Sequence, residues 1–253
     1  MNRFPTFLAT VLAAGLIAAC GSQLPPDFKP APISSTSNSW PPPAKADMPV
    51  AANLLADNWE FVLDASGSMG GSSCGTGGNA RMETAKAGAI KFSQSLPGAA
   101  NLGLTVFSDA QRDNISEWLK LGTGPSNRAE FTSLVSNIKA GGGTPLRSAI
   151  ELGVKILTEQ GQRQRGYGTY HLVIVTDGEA NAGQDPSNYV KSVVAGTPIA
   201  VHAIGFCVDG KHSLDIKGYT QYASANNPET LDRGLKAMLA ESETYSDSQF
   251  VKQ

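Results

Sequence analysis

The chain has 253 residues, 41% hydrophobic and 17% charged, enough apolar material for one sizeable core and too little to require two. A formal net charge of -2 without a basic cluster speaks against a nucleic acid or an anionic membrane surface as the main partner. Three cysteines are too few for a disulfide-stapled scaffold.

At the N-terminus, Arg3 supplies a positive region and Phe7 to Ala19 an apolar run that is too short to span a bilayer and ends in small residues. Ile17-Ala18-Ala19-Cys20 resembles the lipobox of bacterial lipoproteins. That resemblance implies a signal peptide over 1–19, a lipid-modified Cys20 and attachment to the cell envelope. Gly21, where an aspartate is absent, resembles lipoproteins forwarded to the outer membrane. Residues 20–56 follow as a linker: Gln23 to Asp57 holds eight of the fifteen prolines, with Ser34 to Ser39 between two proline groups. Such a stretch favours extended or polyproline conformations and reads as a disordered tether. An arm lying on the domain is the alternative, and only Trp40 supports it.

From Trp59 onward, apolar runs alternate with segments of helical period. This predicts an α/β fold with a doubly wound, mostly parallel sheet covered by helices on both faces, over residues 57–241. Strands are expected at Trp59 to Leu63, Leu102 to Phe107, His171 to Thr176 and Ile199 to Phe206, with a short edge strand at Ile115 to Leu121 and a last one at Tyr219 to Ala223. Met82, Ala85, Ala89, Phe92 and Leu96 mark one helix, and Leu146, Ala149, Ile150, Gly153 and Leu157 another. Phe131 to Ile138 and Leu231 to Leu239 supply two more. Thr144, Asp185 and Asn227 each precede a proline, the arrangement of a capping side chain before a first-turn proline. The polar tail 242–253 is expected to pack loosely.

Asp64-Ala65-Ser66-Gly67-Ser68 leaves the first strand with a carboxylate and two hydroxyls at alternate positions, one edge of a site for a hard divalent cation. Asp177 lies at the same end of the strand His171 to Thr176, and Gly141-Gly142-Gly143-Thr144 brings a hydroxyl to the start of a helix. In an open parallel sheet, ligands collect beyond the carboxyl ends of the strands, so all three segments belong on one rim.

In kind and order, Asp64, Ser66 and Ser68, then Thr144, then Asp177 resemble the metal-ion-dependent adhesion site of von Willebrand factor type A domains. The resemblance implies that Ser66, Ser68 and Thr144 hold Mg²⁺, or Mn²⁺ or Ca²⁺, through neutral hydroxyls while Asp64 and Asp177 act directly or through water. A coordination position would then stay open for an Asp or Glu of a protein partner. It also implies a binding module without turnover. Two other readings compete: a metal-dependent hydrolase with Glu179 or Asp109 as base, and an envelope scaffold subunit whose ion is incidental. Asp109 itself reads as a solvated loop acid.

The loop Gly70 to Asn79 leaves the same rim. If the sheet has the family's order, the strand ending at Phe206 lies two places from the first. Cys74 and Cys207 would then form a disulfide clamping the loop, a hypothesis that thiol counts with and without reductant decide. His171, His202 and His212 show no metal-ligand spacing, and His171 and His202, on strand segments, read as packing or hydrogen-bonding residues. Gly75-Thr76-Gly77-Gly78-Asn79-Ala80 matches a loose dinucleotide fingerprint but begins too far beyond the strand end for a pyrophosphate turn. Ser136-Asn137-Ile138-Lys139 lacks the companion segments of penicillin-binding enzymes.

Overall fold

The computed structural model describes residues 39–72, 80–110, 115–208 and 211–247, with the side chains of 241–247 excepted. The expected signal peptide, lipidated Cys20 and loop cysteine Cys74 lie outside these residues. No helix among the described residues is long and apolar enough to cross a membrane.

Six strands form one sheet: β1 (Asp57–Asp64), β2 (Asn101–Phe107), β3 (Ile115–Gly122), β4 (Thr169–Thr176), β5 (Ile199–Phe206) and β6 (Thr220–Ala225). Their order is β3-β2-β1-β4-β5-β6. All neighbours are parallel except β2 and β3, which pair antiparallel at one edge. The order reverses between β1 and β4, so the crevice where such sheets bind ligands opens at the carboxyl ends of those two strands. β5 lies two places from β1, as expected.

Helices α1 (Arg81–Ser95), α2 (Gly124–Ser136) and α5 (Pro228–Asp247) cover one face, and α3 (Leu146–Arg163) and α4 (Ser187–Gly196) the other. On the first face Trp59, Phe61 and Leu63 of β1 pack with Ala85, Phe92, Phe131, Val135, Leu231 and Leu235. On the second, Val62, Leu172 and Ile174 pack with Ala149, Ile150, Leu157, Val190 and Val193. The side chains of β1 and β4 are therefore buried on both faces, which is why their apolar runs are continuous rather than alternating.

Two of the three expected caps form. Asn227 Oδ1 accepts the backbone N–H of Thr230 at 2.8 Å, and Asp185 Oδ1 accepts that of Ser187 at 2.8 Å. The third does not: α3 starts after Pro145 with no side-chain capping bond, and it is the backbone of Thr144, bonded at both N–H and C=O to Asn181, that is fixed instead. The last helix also runs further than expected, to Asp247, since neither glycine nor proline interrupts it beyond Gly234.

Part of the expected linker packs on the domain. Trp40 stands edge-on to Tyr170 with ring centroids 4.6 Å apart, and a side chain at Gly161 of α3 would collide with its ring. Gln162 Nε2 donates to the carbonyls of Pro42 and Pro43, both at 3.1 Å, and Ala51 N–H donates to Arg163 O at 2.9 Å. The arm from Ser39 to Ala56 thus lies on the domain. Gln164, fully buried, ties it down: its amide donates to Asn53 O and Ala56 O, and its carbonyl accepts from Asn58 of β1 at 2.7 Å. A single side chain on α3's last turn, Gln162, thus serves both proline carbonyls.

Candidate metal centre

The rim is assembled by backbone before any side chain acts. Ala65 N–H donates to Phe107 O at 2.9 Å, Gly141 N–H to Ala65 O at 2.7 Å, and Gly67 N–H to Gly142 O at 3.0 Å. The exit of β1 is thereby fastened to β2 on one side and to the glycine loop on the other. Gly142 sits at φ +72°, in the left-handed region that favours glycine. At Gly143 a β-carbon would come within 2.6 Å of Asn181 Nδ2. With no β-carbon there, Asn181 Oδ1 accepts the Thr144 N–H at 3.0 Å, while Asn181 N–H donates back to Thr144 O at 3.0 Å.

Asp64, fully buried at the end of β1, uses both carboxylate oxygens. Oδ1 accepts the Ser66 N–H at 2.7 Å and Oδ2 the Thr176 hydroxyl at 2.6 Å. Burial pushes its pKa up from 3.8 to about 6; the bonds from Thr176 and Ser66 oppose this, and the nearby Asp177 adds to it. Ser66 Oγ lies 2.9 Å from Ser68 Oγ, which donates to Asp177 Oδ1 at 2.7 Å. Thr144 joins from the glycine loop: a β-carbon built on Gly178 would lie 3.6 Å from Ser68 Oγ and 4.0 Å from Thr144 Oγ1. All five expected residues therefore meet on one rim, drawn from three separate segments.

The donor set fits a hard divalent cation. It combines two carboxylates with three hydroxyls, all oxygen, at the crevice of the sheet. Among the described residues no three histidine, cysteine, aspartate or glutamate side chains cluster as a metal site, so an ion held here depends on the hydroxyls. Ser66, Ser68 and Thr144 would hold it, with Asp64 and Asp177 balancing its charge.

Four supporting residues escaped the sequence reading. Thr176 and Asn181 orient Asp64 and Thr144 as described. His212, buried, accepts from Leu214 N–H on Nδ1 at 3.1 Å, so its Nε2–H donates to Gly178 O at 2.9 Å and props the Asp177 turn. Arg81, the first residue of α1, pairs its Nη1 with Asp177 Oδ2 at 2.8 Å. A polar residue opening a helix gives no signal of this from sequence, because its reach depends on where α1 docks.

Asp109 is a correction. It is buried rather than solvated, and its Oδ2 accepts the Lys139 N–H at 2.7 Å. α2 ends at Ser136, so that N–H lies beyond the helix, and the carboxylate satisfies it beside the isolated bridge of Asp109 to Ala140, bracing the approach to the glycine loop. His171 and His202 behave as expected: their rings share a 3.1 Å contact between Nδ1 and Nε2. Cys207 follows β5 at φ +62° and packs, partly buried, against the first-face core. Its expected partner is outside the described residues.

The family model of the von Willebrand factor type A domain matches residues 60–233. The chain is 28% identical over 199 residues to the uncharacterised protein YwmD of Bacillus subtilis (strain 168), covering 72% of this chain and 85% of that protein. Among solved structures it is similar to the PilB minor pilin of Streptococcus sanguinis, with a TM-score of 0.61 at 15% identity over 77% of this chain and 63% of that one. It is likewise similar to the pilus adhesin SpaC of Lactobacillus rhamnosus GG, with a TM-score of 0.58 at 15% identity over 76% of this chain. The chain spans 31% of that adhesin's length, so these likenesses concern the fold. With the strand order, the helices on both faces and a family match over most of its length, the chain belongs to the von Willebrand factor type A domain family.

Proposed function

We propose that this domain is a binding module that holds a divalent cation, Mg²⁺ or Mn²⁺ in first place, on Asp64, Ser66, Ser68, Thr144 and Asp177. Through that ion it captures an Asp or Glu of a protein partner at the bacterial cell envelope, where the chain is lipid-anchored through Cys20. The observation that carries this reading is the convergence of Ser68 and Thr144, from two different loops, around Gly178 beside Asp177. Neutral hydroxyls around a divalent ion leave it electrophilic, and a carboxylate supplied from outside is the natural ligand for a remaining coordination position. The pilus proteins of similar fold support a role in protein recognition.

The hydrolase reading loses a base, because the Asp109 carboxylate is buried and committed to Lys139. That leaves the exposed Glu179 as the one base still open to that reading.

Asp64→Asn is the appropriate test. An alanine would strip the Thr176 hydroxyl and the Ser66 N–H of their acceptor, costing about 1–3 kcal/mol each, whereas the amide keeps the shape and removes the charge. Calorimetric Mn²⁺ binding should be lost in this variant with the circular dichroism spectrum unchanged. Crosslinked partners from intact envelopes should disappear both in the variant and on chelation. Unaltered Mn²⁺ affinity would refute the site.

A further inference from the structure

Asp177 already has a cation. Its side chain is fully shielded from solvent, Oδ1 is taken by the Ser68 hydroxyl and Oδ2 by the Arg81 guanidinium at 2.8 Å. Arg81 is bound to this place from both ends: its backbone N–H donates to Gly71 O at 3.2 Å, and its side chain is 27% exposed. The pairing is nonetheless incomplete. Arg81 Nε is buried with no hydrogen-bond partner among the described residues, which leaves a guanidinium held by one strong contact and short of the bonds that would make it permanent. The neighbouring Gly71 would place a β-carbon 3.8 Å from that Nε, so the backbone approaches the arginine closely on this side.

Charge decides the consequence. Asp64 and Asp177 together offset one divalent ion, but with Arg81 beside them the same ion leaves a net charge of +1. The guanidinium and the ion are like charges drawn to the same carboxylate, and each weakens the other's hold. We infer that Arg81 is a built-in competitor of the divalent ion for Asp177: it offsets one of the two carboxylate charges while the ion is away and holds ion affinity down, so that filling the site loosens the guanidinium's hold on Asp177 Oδ2. The inference rests on the ion-site reading and adds a residue to it that the adhesion motif does not include.

Mn²⁺ calorimetry on the full chain, comparing the native protein with Arg81→Gln and Arg81→Lys, tests it. The glutamine keeps length and hydrogen-bonding capacity without charge, and should bind Mn²⁺ at least about tenfold more tightly, equivalent to ~1.4 kcal/mol; the lysine, which keeps the charge, should stay near the native value. Arg81→Gln that binds Mn²⁺ no more tightly than a native protein that does bind it overturns the competition and leaves the ion site standing. Absence of Mn²⁺ binding in all three overturns the ion site, and the competition with it. If the glutamine variant does not fold, the native protein still decides: in nitrogen–proton spectra the Arg81 Nε–Hε signal should shift as Mg²⁺ is added, and a signal unmoved at saturating Mg²⁺ sinks the idea.

Discussion

Thr144 shows how a residue can be read correctly for one reason and wrongly for another. Its place before Pro145 suggests a cap, yet α3 takes no capping bond from it, and Asn181 holds its backbone from both sides. The hydroxyl is thus left for the rim. Thr144→Val, which keeps the shape and removes the oxygen, should lower Mn²⁺ affinity about tenfold or more while leaving the melting temperature in chelator unchanged. A drop in that temperature equivalent to about 1 kcal/mol would instead indicate a cap. The rim residues were legible because strand alternation and fixed offsets from strand ends place Asp64, Ser66, Ser68 and Asp177 without knowledge of packing. Arg81 and His212 were not, because each arrives from an element whose docking angle no local spacing encodes.

β1 illustrates the same limit at the level of elements. Its apolar run announces a central strand, but the strand also buries the polar Asn58 and Glu60 completely. Asn58 serves the knot with Gln164 and Thr169. Glu60 accepts from the Thr105 hydroxyl at 2.7 Å, and burial pushes its pKa well up, toward a neutral carboxyl. Beside it, Trp59 stacks on His171 at 3.9 Å between centroids. Burial lowers the pKa of His171 to about 4 and, with His171 adding to the effect, that of His202 to about 3. Both rings are neutral in the folded protein, whereas unfolded histidines take protons near pH 6.5. Their contribution to stability is therefore complete above pH 6.5 and is lost as the pH falls, down to about 4 for His171 and about 3 for His202. Neither ring should titrate between pH 8 and 5 when followed by NMR; a midpoint near 6.5 for either would contradict the burial.

Over the whole molecule, the strand order and two-sided core follow from continuous apolar runs and helical stripes, and the family match over 60–233 agrees. The entry of the chain does not follow. Proline-rich composition reports only that a segment cannot make a core of its own, and says nothing of whether another element's side chains will receive it. Here the Trp40 ring and the glutamines at the end of α3 do so. Trp40→Ala should destabilise the domain by about 2 kcal/mol, somewhat below the cost of emptying a fully buried tryptophan site, as read from the urea midpoint. An unchanged midpoint would return this arm to the linker.

The arm enters where β1 and β4 begin, at the pole opposite Asp64, Thr144 and Asp177, and that separation has a mechanical meaning. A pull exerted between the chain upstream of Ser39 and a ligand seated on the rim runs along the strands rather than across them. The arm's few bonds to α3 would peel away first, as a short fuse. Beyond them the load reaches β1, which is hydrogen-bonded along its length to β2 on one side and β4 on the other, so that its bonds are strained together in shear and not opened one at a time. A sheet loaded in this direction resists far more than one unzipped from an edge, and the arm is placed so that a pull between it and the rim would act in the strong direction.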